Sequence, residues 1–172
     1  MTRTAAAVDV AGSPSIATRP LLVLGWGNRS RADDALGPLC VERLSRALPG
    51  RDDIEFLDDY QLMVEHVLDL QGRSRVLFVD ASLGCAPPFE ATRMHAAADA
   101  SLSSHALSPQ ALLQVYRDVH GGQPPACTLL AIRGTRFDLG DDLSDAARAH
   151  LDAAVRWARG WLSMPLTSTT RG

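Results

Sequence analysis

Four short apolar runs constrain this chain more than any other feature: residues 21–24, 54–57, 75–79 and 127–132. Each has strand length and is bounded by turn-forming residues. The stretches between them carry a helical pattern instead. Leu36, Leu39, Cys40, Leu44, Ala47 and Leu48 fall at helical spacing and stop at Pro49-Gly50. A second helix is expected over residues 62–70, with Gly72 as its stop. Ser108 followed by Pro109 reads as an N-cap with proline at the first helical position, opening a helix to about Val119. Ser144, with Asp145 in the first turn, caps a final helix running to about Trp161. A less regular strand is expected around residues 89–94. Strands alternating with helices imply an α/β sandwich on a mostly parallel sheet.

One domain accounts for 172 residues. Residues 1–19 are rich in Ala, Ser and Thr without period and read as a loose tail; 20–162 read as the domain and 163–172 as a second polar tail. The net charge of −3 offers no basic face for nucleic acid or an anionic membrane. No stretch approaches the ~18 apolar residues of a membrane span, and Arg3 is followed by no signal-like apolar region. Cys40, Cys85 and Cys127 form no C-x-x-C pair, which excludes a disulfide framework or structural zinc site and fits a reducing compartment. A soluble, cytoplasmic, monomeric protein is the expectation.

The first strand breaks at Gly25-Trp26-Gly27-Asn28, where glycines permit a sharp turn, and Asp33 and Asp34 follow on the lip of the first helix. Two adjacent acids are electrostatically costly there unless something cationic binds. In open α/β sheets the ligand site lies outside the carboxyl ends of the strands. Asp34 after strand one, Asp80 at the end of strand three and His105 before a helix can therefore converge on one edge. Asp oxygen with His nitrogen suits a borderline divalent metal such as nickel, zinc or iron. Each residue also has a plainer reading. Asp34 fits the helix N-cap, Asp33 a cap or solvated acid, Asp80 an acceptor for the following loop, and His105 a surface histidine. His66, His95, His120 and His150 have no acidic neighbour at ligand spacing. Trp26 fits either a packing role or a place over the site.

Two other chemistries fail on the residues. Gly25-x-Gly27 opens like a dinucleotide loop, but Ser30 replaces the third glycine and the two aspartates stand where a pyrophosphate would dock. No Gly-x-Ser-x-Gly elbow occurs; Cys85 alone is worth testing as a nucleophile, and all three cysteines read as inert buried thiols.

The run Gly25-x-Gly27-Asn28-x4-Asp33-Asp34-x2-Gly37 resembles the opening of the NiFe-hydrogenase maturation endopeptidases. Residues 76–82, Val-Leu-Phe-Val-Asp-Ala-Ser, resemble that family's strand ending in Val-Asp-Ala. Ser103-Ser104-His105-Ala106-Leu107 resembles its Ser-x-His-x-Leu segment, and Leu143-Ser144 its closing Leu-Ser. The resemblance covers about residues 21–160. It implies a three-layer α/β sandwich, a twisted, mostly parallel five-stranded sheet with helices on both faces. It implies an aspartyl-type endopeptidase that removes the C-terminal extension of a hydrogenase large-subunit precursor. Asp34, Asp80 and His105 would be both catalytic residues and ligands of nickel carried by that substrate, with zinc or cadmium as substitutes in crystals. Two departures stand out. The family often has Glu where Asp34 stands, and Asp-Gly-Gly-Thr where Asp58-Asp59-Tyr60-Gln61 stands. Gln61 with Glu65 is similar to members serving the soluble, NAD-reducing hydrogenases. With no conventional nucleophile, a non-catalytic nickel-sensing chaperone for the same subunit is the alternative, and a nucleotide-binding domain a third.

Overall fold

The computed structural model describes residues 18–97 and 107–166. Five strands and three helices follow in the order β1 (Leu21–Trp26), α1 (Leu36–Ala47), β2 (Ile54–Asp59), β3 (Arg75–Ser82), β4 (Phe89–Met94), α2 (Pro109–His120), β5 (Ala126–Arg133) and α3 (Asp145–Ser163). They form one sheet in the order β2-β1-β3-β5-β4, parallel except for β4. The expected α/β sandwich with helices on both faces is what the chain forms.

Side-chain alternation splits the apolar runs between two layers. Leu21 and Val23 of β1, Leu77 and Val79 of β3, and Leu130 and Ile132 of β5 face α1 and α3. Leu22, Leu24, Val76, Phe78 and Cys127 face α2 and the segment between β2 and β3. Being covered on both sides, β1 and β3 read as continuous apolar runs rather than alternating ones. Each fully buried leucine contributes roughly 1.5–3 kcal/mol, so the central strands anchor both layers at once. Capping follows the sequence at two helices: Ser108 Oγ accepts from Ala111 N–H and Ser144 Oγ from Ala147 N–H, both at 3.1 Å. Gly121 closes α2 in the left-handed conformation at φ +67°.

Two expectations need correction. The helix expected over 62–70 is absent. In its place stands one 3-10 turn, Val64–Val67, flanked by further bonds of the tighter i→i+3 kind, such as His66 N–H to Met63 C=O and Gln71 N–H to Leu68 C=O. Met63 is extended (φ −116°, ψ 157°) and its N–H donates to the His66 ring at 2.9 Å, so the chain is not helical at 63 and only a short, tight turn follows. The strands also run past their apolar stretches at the carboxyl edge, because pairs such as Gly25 with Asp58 and Ser82 with Arg133 continue the ladders. Asp80 therefore lies within β3 rather than at its end.

Gly37 fixes how α1 meets the sheet. A Cβ there would stand 2.2 Å from the Trp26 carbonyl oxygen, so the first turn of α1 rests directly on the end of β1. None of the described helices is long and apolar enough to cross a membrane.

Urea denaturation tests this packing. Gly37→Ala is expected to cost about 3 kcal/mol or more by forcing backbone apart. Gly160→Ala, at an exposed position of α3 with open space around it, should gain about 0.5–1 kcal/mol.

Candidate active site

The chain leaves β1 through α1 on one face to reach β2, then returns by the opposite face to β3 on the other side of β1. The carboxyl ends of β1 and β3 thus flank a topological switch point, where open α/β sheets bind ligands. The loop carrying Asp33 and Asp34 and the strand carrying Asp80 both arrive there.

Gly27 is the pivot of this loop. Its φ is +142°, and a Cβ would stand 1.9 Å from the Asp34 carbonyl oxygen. Gly25 serves differently: it lies inside β1, and its missing side chain makes room for Val41 and the Gly37 carbonyl.

Asp33 is neither a cap nor a solvated acid, as its sequence context suggested. Its side chain is fully buried. One oxygen accepts from Ser144 N–H at 2.8 Å. The other accepts from Thr135 N–H and Ser144 Oγ–H at 2.8 Å, Arg136 N–H at 3.1 Å and Thr135 Oγ1–H at 3.3 Å. Burial alone would raise this carboxyl; the Thr135, Ser144 and Arg136 backbone donors and the Ser144 hydroxyl outweigh it and hold Asp33 below its ordinary value of 3.8. The backbone adds to the seam: Ala32 N–H donates to Asp141 C=O, Asp33 N–H to Arg136 C=O and Gly140 N–H to Ser30 C=O. The β1–α1 loop is thereby stitched to the β5–α3 loop. Ala32, at φ +45°, carries the strain of that seam.

Asp34 is freed for other work. It is not the helix N-cap; α1 starts after Ala35, with no side-chain cap. One Asp34 oxygen accepts from Asn28 N–H at 3.1 Å, and Arg31 Nη1 stands 4.0 Å from it. Asp80, by its parity with Val76 and Phe78, points to the α2 face of the sheet. Burial pushes the Asp80 carboxyl up to about 7; the Ala81 N–H opposes this, the Asp34 charge adds to it, and the Trp26 indole N–H, donating to Asp80, pulls it back. Asp34 and Asp80 are therefore electrostatic neighbours. Trp26 takes both of its expected roles: nearly buried, it packs edge-on against Phe78 with ring centroids 5.9 Å apart, and it touches the site through its N–H.

His105 lies outside the described residues. Among those described, no group of three or more His, Cys, Asp or Glu side chains is placed to hold a metal ion; the carboxylate pair stands by itself. The three cysteines are buried, and burial pushes the Cys40 and Cys127 thiols up to about 12. His66, unremarkable in the sequence, is buried: its Nδ1 accepts from Met63 N–H at 2.9 Å and its Nε2 lies 3.4 Å from Asp59 Oδ2. It pins the segment after β2 to the end of that strand. Its partner, seven residues away, falls outside any local spacing rule.

No protein-family model and no curated protein sequence matches the chain. Solved structures do. The hydrogenase maturating endopeptidase HybD from E. coli is 26% identical, with a TM-score of 0.65 over 83% of this chain and 91% of its own. The NiFe hydrogenase maturation protease HycI from Thermococcus kodakarensis KOD1 is 21% identical, with a TM-score of 0.65 over 87% of this chain and 96% of its own. The hydrogenase 2 maturation peptidase from Thaumarchaeota archaeon SCGC_AB-539-E09 is 23% identical, with a TM-score of 0.61 over 84% and 99%. The last two speak for the fold alone. The structural neighbours are thus NiFe-hydrogenase maturation proteases, the family the motifs resemble, over most of the chain.

The two aspartates are expected to respond oppositely to substitution in the metal-free protein. Asp33→Asn places an amide against N–H donors and should cost about 2–4 kcal/mol at neutral pH. The stabilisation by ionised Asp33 is present above its ordinary carboxylate value and is lost as pH falls through the lowered one. Asp80 has the reverse sign: its folded carboxyl binds a proton that the unfolded chain has released, so stability declines as pH rises from about 4 to about 7. Asp80→Asn should remove a decline of roughly 2–4 kcal/mol over that window, read from urea midpoints between pH 4 and 8.

Proposed function

We propose that this protein is an endopeptidase that removes the C-terminal extension of a nickel-loaded NiFe-hydrogenase large-subunit precursor. The likeness to maturation endopeptidases supports a peptidase with a role in hydrogenase maturation. The observation that carries the finer reading is the Asp34–Asp80 pair at the switch point. Burial and the Asp34 charge hold Asp80 partly protonated near neutrality. A divalent cation arriving beside it would reverse that balance, because an adjacent positive charge favours both carboxylates ionised.

In this reading His105 is the third ligand, and the nickel comes with the precursor. Support for His105 comes from its neighbour: Leu107 packs into the core on the face toward which Asp80 points. Three protein ligands leave coordination positions open, so the ion can remain shared with the substrate. Cleavage then reports that metal insertion has succeeded. Held by Asp34, Asp80 and His105 beside the scissile peptide, such an ion would supply polarisation of the carbonyl or a lowered pKa for an attacking water. The chain's own residues supply the framework: Asn28 N–H orients Asp34, the Trp26 N–H and Ala81 N–H orient Asp80, and Asp33 holds the loop that presents Asp34.

Mixing the protein with nickel-loaded and nickel-free precursor tests this by the mass of the large subunit. Only the loaded precursor should lose its extension; equal processing of both, or of neither, overturns the reading. Asp34→Asn, Asp80→Asn and His105→Ala should each lower processing at least ~100-fold, with circular dichroism unchanged. A large subunit that is bound yet keeps its C-terminus would instead identify a nickel-sensing chaperone.

A further inference from the structure

β2 forms one edge of the sheet, and its hydrogen-bond ladder shows which of its backbone groups are spoken for. Leu21 N–H donates to Asp53 C=O at 3.0 Å, and Gly27 N–H donates to Asp59 C=O at 3.1 Å. Parallel pairing uses every second residue of a strand, so Asp53, Glu55, Leu57 and Asp59 bond β1 while Ile54, Phe56 and Asp58 turn their N–H and C=O outward. Ile54 is closed off: its N–H donates to Arg51 C=O at 3.1 Å, and its C=O accepts from Arg19 Nη1 at 2.8 Å. Phe56 and Asp58 have no such backbone partner among the described residues. The open stretch is therefore short, and it lies at the end of β2 nearest the candidate site.

A groove of about 570 Å³ lies against the middle of β2, bounded by Thr18, Arg19, Glu55, Phe56, Leu57 and Arg73; it reaches Phe56 but not Asp58. Beyond the strand, the chain turns Tyr60 (63% exposed), Met63, Val64 and Leu68 (63% exposed) into solvent. Tyr60 Oη accepts from Asn28 Nδ2 at 2.9 Å, which ties this apolar strip to the loop carrying Asp34. β4, the other edge, runs antiparallel and is separated by β3 and β5 from β1, whose loop carries Asp34.

We propose that the outer edge of β2 takes an extended, apolar segment of the polypeptide substrate as a transient sixth strand, through the N–H and C=O groups of Phe56 and Asp58. This rests on the peptidase reading and specifies how that substrate is held. Strand addition draws its affinity from main-chain bonds, so it tolerates varied sequences; the apolar strip beyond the strand supplies a side-chain preference. Arg19, capping Ile54, restricts pairing to the carboxyl half of the edge and blunts the rest against aggregation.

The test compares Asp58→Pro with Asp58→Ala on nickel-loaded precursor. Both lose the Arg29–Asp58 ion pair, but only proline removes the outward N–H, while leaving the ladder to β1 intact. We expect kcat/KM at least tenfold lower for the proline variant than for the alanine variant, with the loss in KM. Equal values for two folded variants overturn the proposal. As a measurement independent of the variants, amide exchange of the wild-type protein is followed with a synthetic peptide spanning the precursor's C-terminal extension. Phe56 and Asp58 amides should exchange faster than Leu57 and Asp59 in the free protein and slow at least tenfold with peptide; no slowing overturns the proposal even if the proline variant does not fold. Processing by wild type with neither effect removes the edge pairing alone, whereas no processing at all removes the peptidase reading and this proposal with it.

Discussion

The Asp33 carboxylate accepts from three backbone N–H groups and two hydroxyls while fully buried, and the carboxyl edge of the sheet is assembled around it. A lone charge taken out of water would be severely destabilising. With its oxygens satisfied by fixed donors, the same charge becomes a rigid cross-link between two loops about a hundred residues apart in sequence. Ser144 shows the economy of the arrangement: its hydroxyl donates to Asp33 and also accepts from Ala147 N–H to start α3. Gly134 is part of the same constraint, since a Cβ there would stand 2.9 Å from the Asp33 Cβ.

That cross-link separates the duties of two adjacent acids. Asp33 spends its hydrogen-bonding capacity inside the fold. Asp34, one residue on, accepts from Asn28 N–H and turns toward the switch point, where it raises Asp80 by its charge. Unlike Asp33, the two have few donors: Asn28 N–H for Asp34, and Ala81 N–H and the Trp26 indole N–H for Asp80.

Close backbone approach is the other condition of the site. Gly25, Gly27 and Gly37 let β1, its loop and the first turn of α1 lie against one another with no side chain between them. Asp34 is thereby held at the sheet edge by main-chain geometry, and its side chain adds one bond, from Asn28 N–H. The segment after β2 is held differently, by His66 bridging Met63 N–H and Asp59; it packs Leu62, Val67 and Leu70 inward and presents Tyr60, Met63, Val64 and Leu68 to solvent.

The fold was legible in the sequence wherever physics is local. Runs such as Leu21-Leu22-Val23-Leu24 specify strands covered on both faces, and Ser108-Pro109 and Ser144 mark helix starts through the donors they satisfy. Of the candidate site, the glycine loop and the acids Asp34 and Asp80 were visible, and so was the resemblance that the solved structures bear out. What tertiary structure alone decided depends on partners distant in sequence. Asp33 and Asp34 are chemically identical neighbours, and only the packing of residues 135–144 against the loop makes one a buried keystone and leaves the other exposed to the site. His66 and the lost helix over 62–70 follow the same rule. A side chain's role there is set by which donor or apolar face meets it across the fold, and that information is carried by no single stretch of chain.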